Sequence, residues 1–395
     1  MRHTGHIRQR SKESFEIRYT LGVDPLTGKR RTITTTFRGD KKSAEKELRR
    51  LLRSIDTGEY VEPTKIKVGE FLLQWLEAVH SQVSPKTHER YAQLVRLYLI
   101  PTFGACVLHK LSPLAIQNAY NAWETSGRQD GKSGGLAPRS RLSIHRVFKQ
   151  ALKHAVQLQL ILRNPADHIK SPRAKKVSIT TLTVEQSAIL LNAIQGTRLY
   201  WLVLLALTTG MRRGEILALR WKNVDFDKKT VRIVESLEQT KKGIRFKAPK
   251  TERSRAVILP AYAVEQLIEW KARQAEELVD NGAVQTENTL VCAARDGQPL
   301  WPSSASHEFA KAMNKLPGLP RIRFHDLRHS HATQLLAAGI HPKIAQERLG
   351  HSTITTTLDL YSHVTDTMQD DAAAKLDAAF RLIMKRRQNQ GSHLG

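Results

Sequence analysis

From Ser14 to Tyr19, apolar Phe15, Ile17 and Tyr19 alternate with polar Ser14, Glu16 and Arg18, the period of a half-buried strand. Asp24-Pro-Leu-Thr-Gly28 supplies turn chemistry, because proline presets φ and glycine tolerates positive φ. The β-branched run Arg31–Phe37 predicts a returning strand, and Gly5–Gln9 a short strand before both. From Lys42 to Ile55 the period becomes helical, with Ala44, Leu48, Leu51 or Leu52, and Ile55 on one face. The opposite face of the sheet is expected to show Thr and Arg.

A purely helical pattern follows. Phe71, Trp75, Leu76 and Val79 share one face; Tyr91, Leu94, Val95, Tyr98 and Leu99 share another; Ile144, Val147, Phe148, Ala151 and Ala155 a third. These stripes are read as core. Gly127–Gly135 (GRQDGKSGG) is read as a flexible loop. It has three residues, not four, between Gly127 and the Gly131-Lys132-Ser133 run, and no strand precedes it, so it is not a phosphate cradle.

Two breaks divide the chain, at Glu59–Lys67 and at the basic, proline-interrupted stretch Lys170–Ser178. Beyond the second the pattern is mixed. Thr183 and Gln186 have capping-box spacing. Leu199–Leu207 is apolar almost all round, which predicts a buried helix. Val231–Val234, Arg245–Lys247 and Ala256–Leu259 read as strands of one small antiparallel sheet, with helices from about 303 onward. The expected fold class is multidomain α+β: a β-sheet-plus-helix module over 1–60, an all-α domain over 66–170, and a mixed, mainly α domain over 179–395.

The 395 residues agree with two to three domains. Composition then changes the picture. Lys and Arg number 63 against 37 Asp and Glu, a net charge of +26. The three segments carry +7 (15 basic, 8 acidic), +11 (18 and 7) and +8 (30 and 22), so the excess is no mere tail. Charge spread this way favours a polyanionic partner, most simply nucleic acid. The candidate phosphate contacts are Arg18, Lys29 and Arg31 in the first segment, Lys86 and Arg139 in the second, and Lys175 and Lys176 in the basic connector. Two cysteines, Cys106 and Cys292, are too few for a disulfide framework and suggest a reducing compartment. The first ten residues lack the apolar region of a secretory signal. The strongly apolar stretch Trp201–Leu207 is far short of the ~20 residues of a membrane span. The expectation is a cytoplasmic protein with no membrane partner.

Four clusters could carry chemistry: Thr208-Thr-Gly-Met-Arg212-Arg-Gly-Glu215; Pro249-Lys250-Thr251 followed by Arg253 and Arg255; His325-Asp-Leu-Arg328; and Leu349-Gly-His351 with Tyr361 beyond. His325 and Arg328 are three apart and share a helix face. The aperiodic Pro320–Phe324 puts His325 in the first turn, where the helix dipole attracts phosphate and disfavours a protonated ring. Pro342 opens and Gly350 closes the next helix, leaving His351 at a junction. Tyr361 follows on a Thr-rich helix, Arg212 lies at the mouth of a helix near Glu215, and Lys250 sits at a hairpin tip. Taken singly each has an ordinary structural explanation: a capping His, a solvated turn Lys, a core Tyr. His325, His329 and His331 also offer a zinc reading, but Asp326 breaks the H-E-x-x-H pattern and no Cys cluster is near.

Together the clusters differ. The ordered set Thr209-Gly-Met-Arg212-Arg-Gly-Glu215, Lys250-Thr251, His325-Asp-Leu-Arg328, Leu349-Gly-His351 and Tyr361 resembles the signature of the tyrosine recombinase (phage integrase) family. The resemblance runs the length of the chain. Residues 1–60 are similar to the arm-site DNA-binding module of phage and conjugative-transposon integrases, 66–170 to the helical core-site-binding domain, and 179–395 to the catalytic domain with its tail helix.

The resemblance implies a site-specific recombinase that cuts and rejoins double-stranded DNA, integrating or excising a mobile element, as a homotetramer on core and arm sites. Tyr361 would be the nucleophile, forming a 3′-phosphotyrosyl bond. Arg212, Arg328 and His351 would bind the non-bridging oxygens, Lys250 would protonate the leaving 5′-oxygen, His325 would accept the tyrosine proton, and Glu215 would hold the arginine region. Every element is a side chain, so neither metal nor cofactor is required. A directionality factor and a DNA-bending protein are candidate accessories. Two other readings use the same residues: a type IB-like topoisomerase, against which the basic N-terminal module argues, and a non-enzymatic DNA-binding regulator. The helix predicted over Asp371–Lys385 either passes to a neighbouring protomer or packs on its own chain.

Overall fold

The computed structural model describes all residues except 1–3, 24–26, 58–59, 63, 175–178, 249–253, 351–352, 362–372, 375, 379 and 382–395, and only the backbone of Thr356, Asp359, Leu360 and Tyr361. It divides into two compact units, residues 1–176 and 177–395. The first holds both the sheet module and the helical bundle.

Strands β1 (Gly5–Ser11), β2 (Ser14–Val23) and β3 (Arg30–Arg38) form an antiparallel meander in that order. Its register sets Ile17 opposite Ile7 and Thr35, and Tyr19 opposite Gly5 and Ile33. The predicted turn residues 24–26 lie outside the described residues. Phe15, Ile17 and Tyr19 are buried beneath helix α1 (Lys41–Asp56), whose Ala44 faces them. Asp40 caps α1 by accepting from the Ser43 N–H at 2.6 Å, a contact of the kind that stabilises by about 1 kcal/mol. The other face leaves Arg18, Thr32, Thr34, Thr36 and Arg38 exposed, as the alternation requires.

The bundle comprises α2 (Val68–Val79), α3 (Pro85–Leu94), a π-type turn at Val95–Leu99 running into the short α4 (Ile100–Phe103), α5 (Pro113–Ser126) and α6 (Pro138–Gln157). The predicted stripes form its core: Phe71, Trp75, Leu76, Leu94, Leu99, Ile144 and Phe148 are buried together. Proline opens α3, α5 and α6, where its missing N–H costs nothing. The Gly127–Gly135 segment is irregular.

The second unit begins with α7 (Val184–Ala193), opened by the predicted Thr183/Gln186 capping box. Helix α8 (Arg198–Thr209) runs through the core: every residue from Leu199 to Leu207 is buried, each large side chain stabilising by roughly 1.5–3 kcal/mol. Then come α9 (Arg213–Leu217), β4 (Val224–Asp225), β5 (Thr230–Ile233), β6 (Ser236–Thr240), β7 (Gly243–Lys247), β8 (Arg255–Ile258), α10 (Ala261–Asp280), α11 (Pro302–Asn314), α12 (Asp326–Ala337), α13 (Pro342–Leu349) and α14 (Ile354–Tyr361).

The single small sheet expected from sequence is two. β4, β5 and β8 form one antiparallel sheet, and β6 with β7 a separate hairpin. The Arg245–Lys247 strand pairs with Ser236–Glu238, not with Val231–Val234. Polar Ser236–Thr240 carries little apolar alternation, so its strand was invisible to the hydrophobic pattern. It forms because Thr240 and Gly243 close a two-residue turn, with Gly243 at φ 120°.

Candidate active site at the ends of α8, α12 and α13

Helix α8 stops at Gly210, which has φ 67°. A Cβ there would lie 2.6 Å from His331 Cδ2 and 2.7 Å from Leu349 Cδ2, so glycine is required by backbone and by space. The chain turns, and Arg212 opens α9. Three residues on, Glu215 is 2% exposed. Its carboxylate accepts the Arg212 backbone N–H (2.9 Å) and Arg212 Nη1 (2.8 Å). Burial alone would raise the Glu215 pKa. The bonds from Arg255 and Arg212 outweigh it and hold the group below the usual carboxylate value.

Arg328 lies on α12 and is 3% exposed. Nη1 donates to the Gly210 carbonyl at 2.6 Å and Nη2 to the Leu349 carbonyl at 2.5 Å, joining the ends of α8 and α13. Burial first, then the Arg212 charge, pushes its pKa down to about 9. Arg212 Nη2 reaches the next carbonyl, Gly350, at 3.5 Å. Gly350 ends α13 at φ 64°, as the Pro342–Gly350 asymmetry predicts.

His325 stands immediately before α12, with φ −66° and ψ −25°. Asp326 fixes that helix start by accepting the Arg323 backbone N–H (2.8 Å), Nε (3.1 Å) and Nη2 (2.9 Å). The His325 ring meets His329 edge-on, with centroids 5.3 Å apart. Partial burial, then the His329 ring and the Arg328 charge, holds the His325 pKa down to about 4, although the residue keeps an exposed face. The ring is therefore neutral, a base, at physiological pH. His331 is committed elsewhere: a carbonyl can only accept, so Nδ1 carries the proton donated to Leu207 at 2.7 Å. Among the described residues no group of three His, Cys, Asp or Glu side chains is arranged to hold a metal.

The structure thus brings Arg212, Glu215 and Arg328 to one corner, with His325 three residues before Arg328. Tyr361 ends α14, which packs on α12 and α13. Its side chain, Lys250 and His351 lie outside the described residues.

Of the candidate phosphate contacts, Arg18 and Lys29 are exposed and Arg139 is exposed in the first turn of α6. Arg31 bonds Glu62, and Lys86 bonds Glu89 at 3.3 Å; both pairs are exposed and weak. Lys175 and Lys176 lie outside the described residues.

Sequence reasoning did not assign a role to Arg255. Its guanidinium grips Glu215 with Nη2 at 2.7 Å and Nη1 at 3.2 Å, and its Nε donates to the Arg348 carbonyl at 3.0 Å. Arg348 Nη2 in turn donates to Thr208 and Ile258 carbonyls, both at 3.1 Å. No local pattern separates these arginines from surface ones.

Comparison with known proteins gives the family and the fold. Residues 180–368 match the model of the phage integrase family, and residues 67–124 that of the phage integrase N-terminal SAM-like domain. A tyrosine recombinase XerC-like protein of Caldanaerobacter subterraneus subsp. tengcongensis is 30% identical over 95% of this chain and 99% of its own. The chain belongs to the phage integrase family of tyrosine recombinases. It is an enzyme that breaks and rejoins DNA strands. Its fold is that of the Tn1549 transposon integrase in complex with transposon right end DNA (TM-score 0.65, 22% identity, 79% of this chain and 99% of that one). A lambda integrase tetramer bound to a Holliday junction is also similar (TM-score 0.55, 19% identity, 89% and 96%). The recombinase has, among its described residues, no helix long and apolar enough to cross a membrane.

Proposed function

We propose that this recombinase cleaves at a phosphodiester seated on the Arg212–Arg328 corner. One observation carries the reading: two guanidiniums share the single carboxylate Glu215, a third lies in its field, and all are largely removed from water. Such a site holds surplus positive charge, and burial makes that costly until an anion enters. A phosphodiester answers it, and the phosphorane transition state, with more charge on its non-bridging oxygens, answers it better.

Tyr361 is the nucleophile. Its oxygen bonds phosphorus, the phosphorus–O5′ bond breaks, and the chain retains a 3′-phosphotyrosyl link. His325, kept neutral, accepts the phenolic proton, and Lys250 delivers a proton to the departing 5′-oxygen. Arg212 and Arg328 clamp the non-bridging oxygens with paired donors that lysine cannot offer, and His351 adds another donor. Glu215 aims Arg212. Because the phosphotyrosyl link stores the bond energy, attack by a 5′-hydroxyl rejoins the strand without a nucleotide.

Residues 1–60 act as the arm-site module, 66–170 as the core-site domain and 179–395 as the catalytic domain. Arg18, Lys29, Arg31, Lys86, Arg139, Lys175 and Lys176 contact phosphates. The protein works as a homotetramer on double-stranded DNA and moves a mobile element, in the cytoplasm at the nucleoid. The junction-bound tetramer of the lambda neighbour supports the assembly, and the transposon source of the other neighbour supports the role. Leu376 and Phe380, helical and 60% and 64% exposed, support a tail that packs on a neighbouring protomer. Tyr361→Phe tests the chemistry. It is expected to bind duplex DNA like the parent and to form no covalent protein–DNA adduct on denaturing gels; a persisting adduct removes Tyr361 from the role.

A further inference from the structure

Arg255 closes the Lys250 cluster without a role in the reaction, yet it is tied to three parts of the site. Its side chain is 11% exposed and that of Glu215 is 1% exposed, so their pairing is shielded from water. The grip is bidentate, with Nη2–Oε2 at 2.7 Å and Nη1–Oε1 at 3.2 Å. The same carboxylate holds Arg212 through backbone and side chain. The remaining donor of the Arg255 fork, Nε, is fixed to the Arg348 carbonyl in the last turn of α13. Its stem also packs against the corner that follows, since a Cβ on Gly350 would lie 3.0 Å from Arg255 Cδ and 3.1 Å from Nη1. At its other end, Arg255 starts strand β8, directly after the segment that bears Lys250.

We infer that Arg255 is a positioning residue of the recombinase: it fixes Glu215, and through it Arg212, to the Arg348–Gly350 corner that leads into His351. It does not touch the phosphate. Its planar fork makes three bonds in two directions at once, and a lysine, with one point of charge, cannot make them together. Without this strut Arg212 keeps its bond to Glu215, but the pair is held to the end of α13 only by the long Arg212–Gly350 contact at 3.5 Å. A displacement of about 1 Å at such a site can cost ~100-fold in rate. The inference rests on the active-site reading above.

The test uses the full-length protein and a nicked duplex recovered by covalent trapping of the parent on a randomised library. Arg255→Lys is measured well below its melting temperature. The expected result is adduct formation at saturating DNA slowed about 100-fold, with the dissociation constant for the duplex within about twofold of the parent. A second readout separates positioning from general loss of structure. If Arg255 acts through Glu215, the double variant Arg255→Lys/Glu215→Gln is no slower than the slower single variant. Unchanged adduct formation in Arg255→Lys, rate losses that multiply in the double variant, or a loss confined to DNA affinity each overturn the inference. Tyr361→Phe is run alongside: an adduct from that variant discards the active-site reading itself, whereas its absence with a fast Arg255→Lys discards only the strut.

Discussion

Arg212 and Arg328 donate to consecutive backbone carbonyls, Arg212 Nη2 to Gly350 at 3.5 Å and Arg328 Nη2 to Leu349 at 2.5 Å. Two guanidiniums from different helices thereby meet two adjacent peptide units, which share the Gly350 Cα. That is the arrangement a two-armed clamp on one phosphate needs.

Arg328→Lys keeps the charge and loses the fork. A lysine can satisfy one of the Gly210 and Leu349 carbonyls and leaves the other buried and unpaired, a defect worth about 1–3 kcal/mol. Urea unfolding should show that loss. Adduct formation should fall by ~100–1,000-fold, as for removal of a transition-state donor. Parent-like rates would exclude Arg328 from the clamp.

Gly210→Ala meets two obstacles. The φ of 67° costs a side chain roughly 1–2 kcal/mol, and the new methyl would press on His331 and Leu349 at 2.6 and 2.7 Å. Overpacking of this kind adds about 1–3 kcal/mol. Equilibrium unfolding is expected to show a deficit of roughly 2–5 kcal/mol by combining the two.

Stability should depend on pH through His331. Burial, against the opposing bond to Leu207, pushes its pKa down to about 4, below the unfolded value near 6.5. The unfolded chain therefore binds more protons between those values, and stability falls as pH drops from about 6.5 towards 4. His331→Phe loses the Leu207 bond but does not titrate. The stability gap between parent and variant, read by urea unfolding, should narrow by about 1–3 kcal/mol from pH 7 to pH 5. A constant gap would mean that His331 is not held neutral.

Removing residues 1–60 should weaken binding to distal DNA sites and spare cleavage of a nicked core site. The deletion removes the Tyr19–Tyr60 hydroxyl contact whole and severs the exposed Arg31–Glu62 pair. Gel shifts on arm-type and core-type duplexes separate the effects. Loss of core cleavage would count against the modular division.

Much of this protein was legible in one dimension. The Phe15–Ile17–Tyr19 alternation, the stripes of the bundle, the all-apolar Leu199–Leu207 run, the Thr183–Gln186 box and the Pro342–Gly350 boundaries all became the elements they predict. Each rests on neighbours within a few residues, where period and capping act. The ordered motif around Arg212, His325, Arg328 and Tyr361 likewise named the family before any distance was known.

Other features needed the folded chain. Polar Ser236–Thr240 became a strand only because a two-residue turn laid Gly243–Lys247 beside it, splitting the expected sheet in two. His325, His329 and His331 look alike in sequence, but only contacts with α8 commit His331 to Leu207 while His325 keeps an exposed face at the helix start. Arg255 reads as one more lysine-and-arginine position in a chain that has 63 of them. What sets it apart is a buried carboxylate on α9 and a carbonyl ending α13, partners supplied from distant parts of the chain. Local order depends on adjacent residues and can be read from them; desolvated ion pairing depends on which distant groups meet, and that is decided when the helices pack.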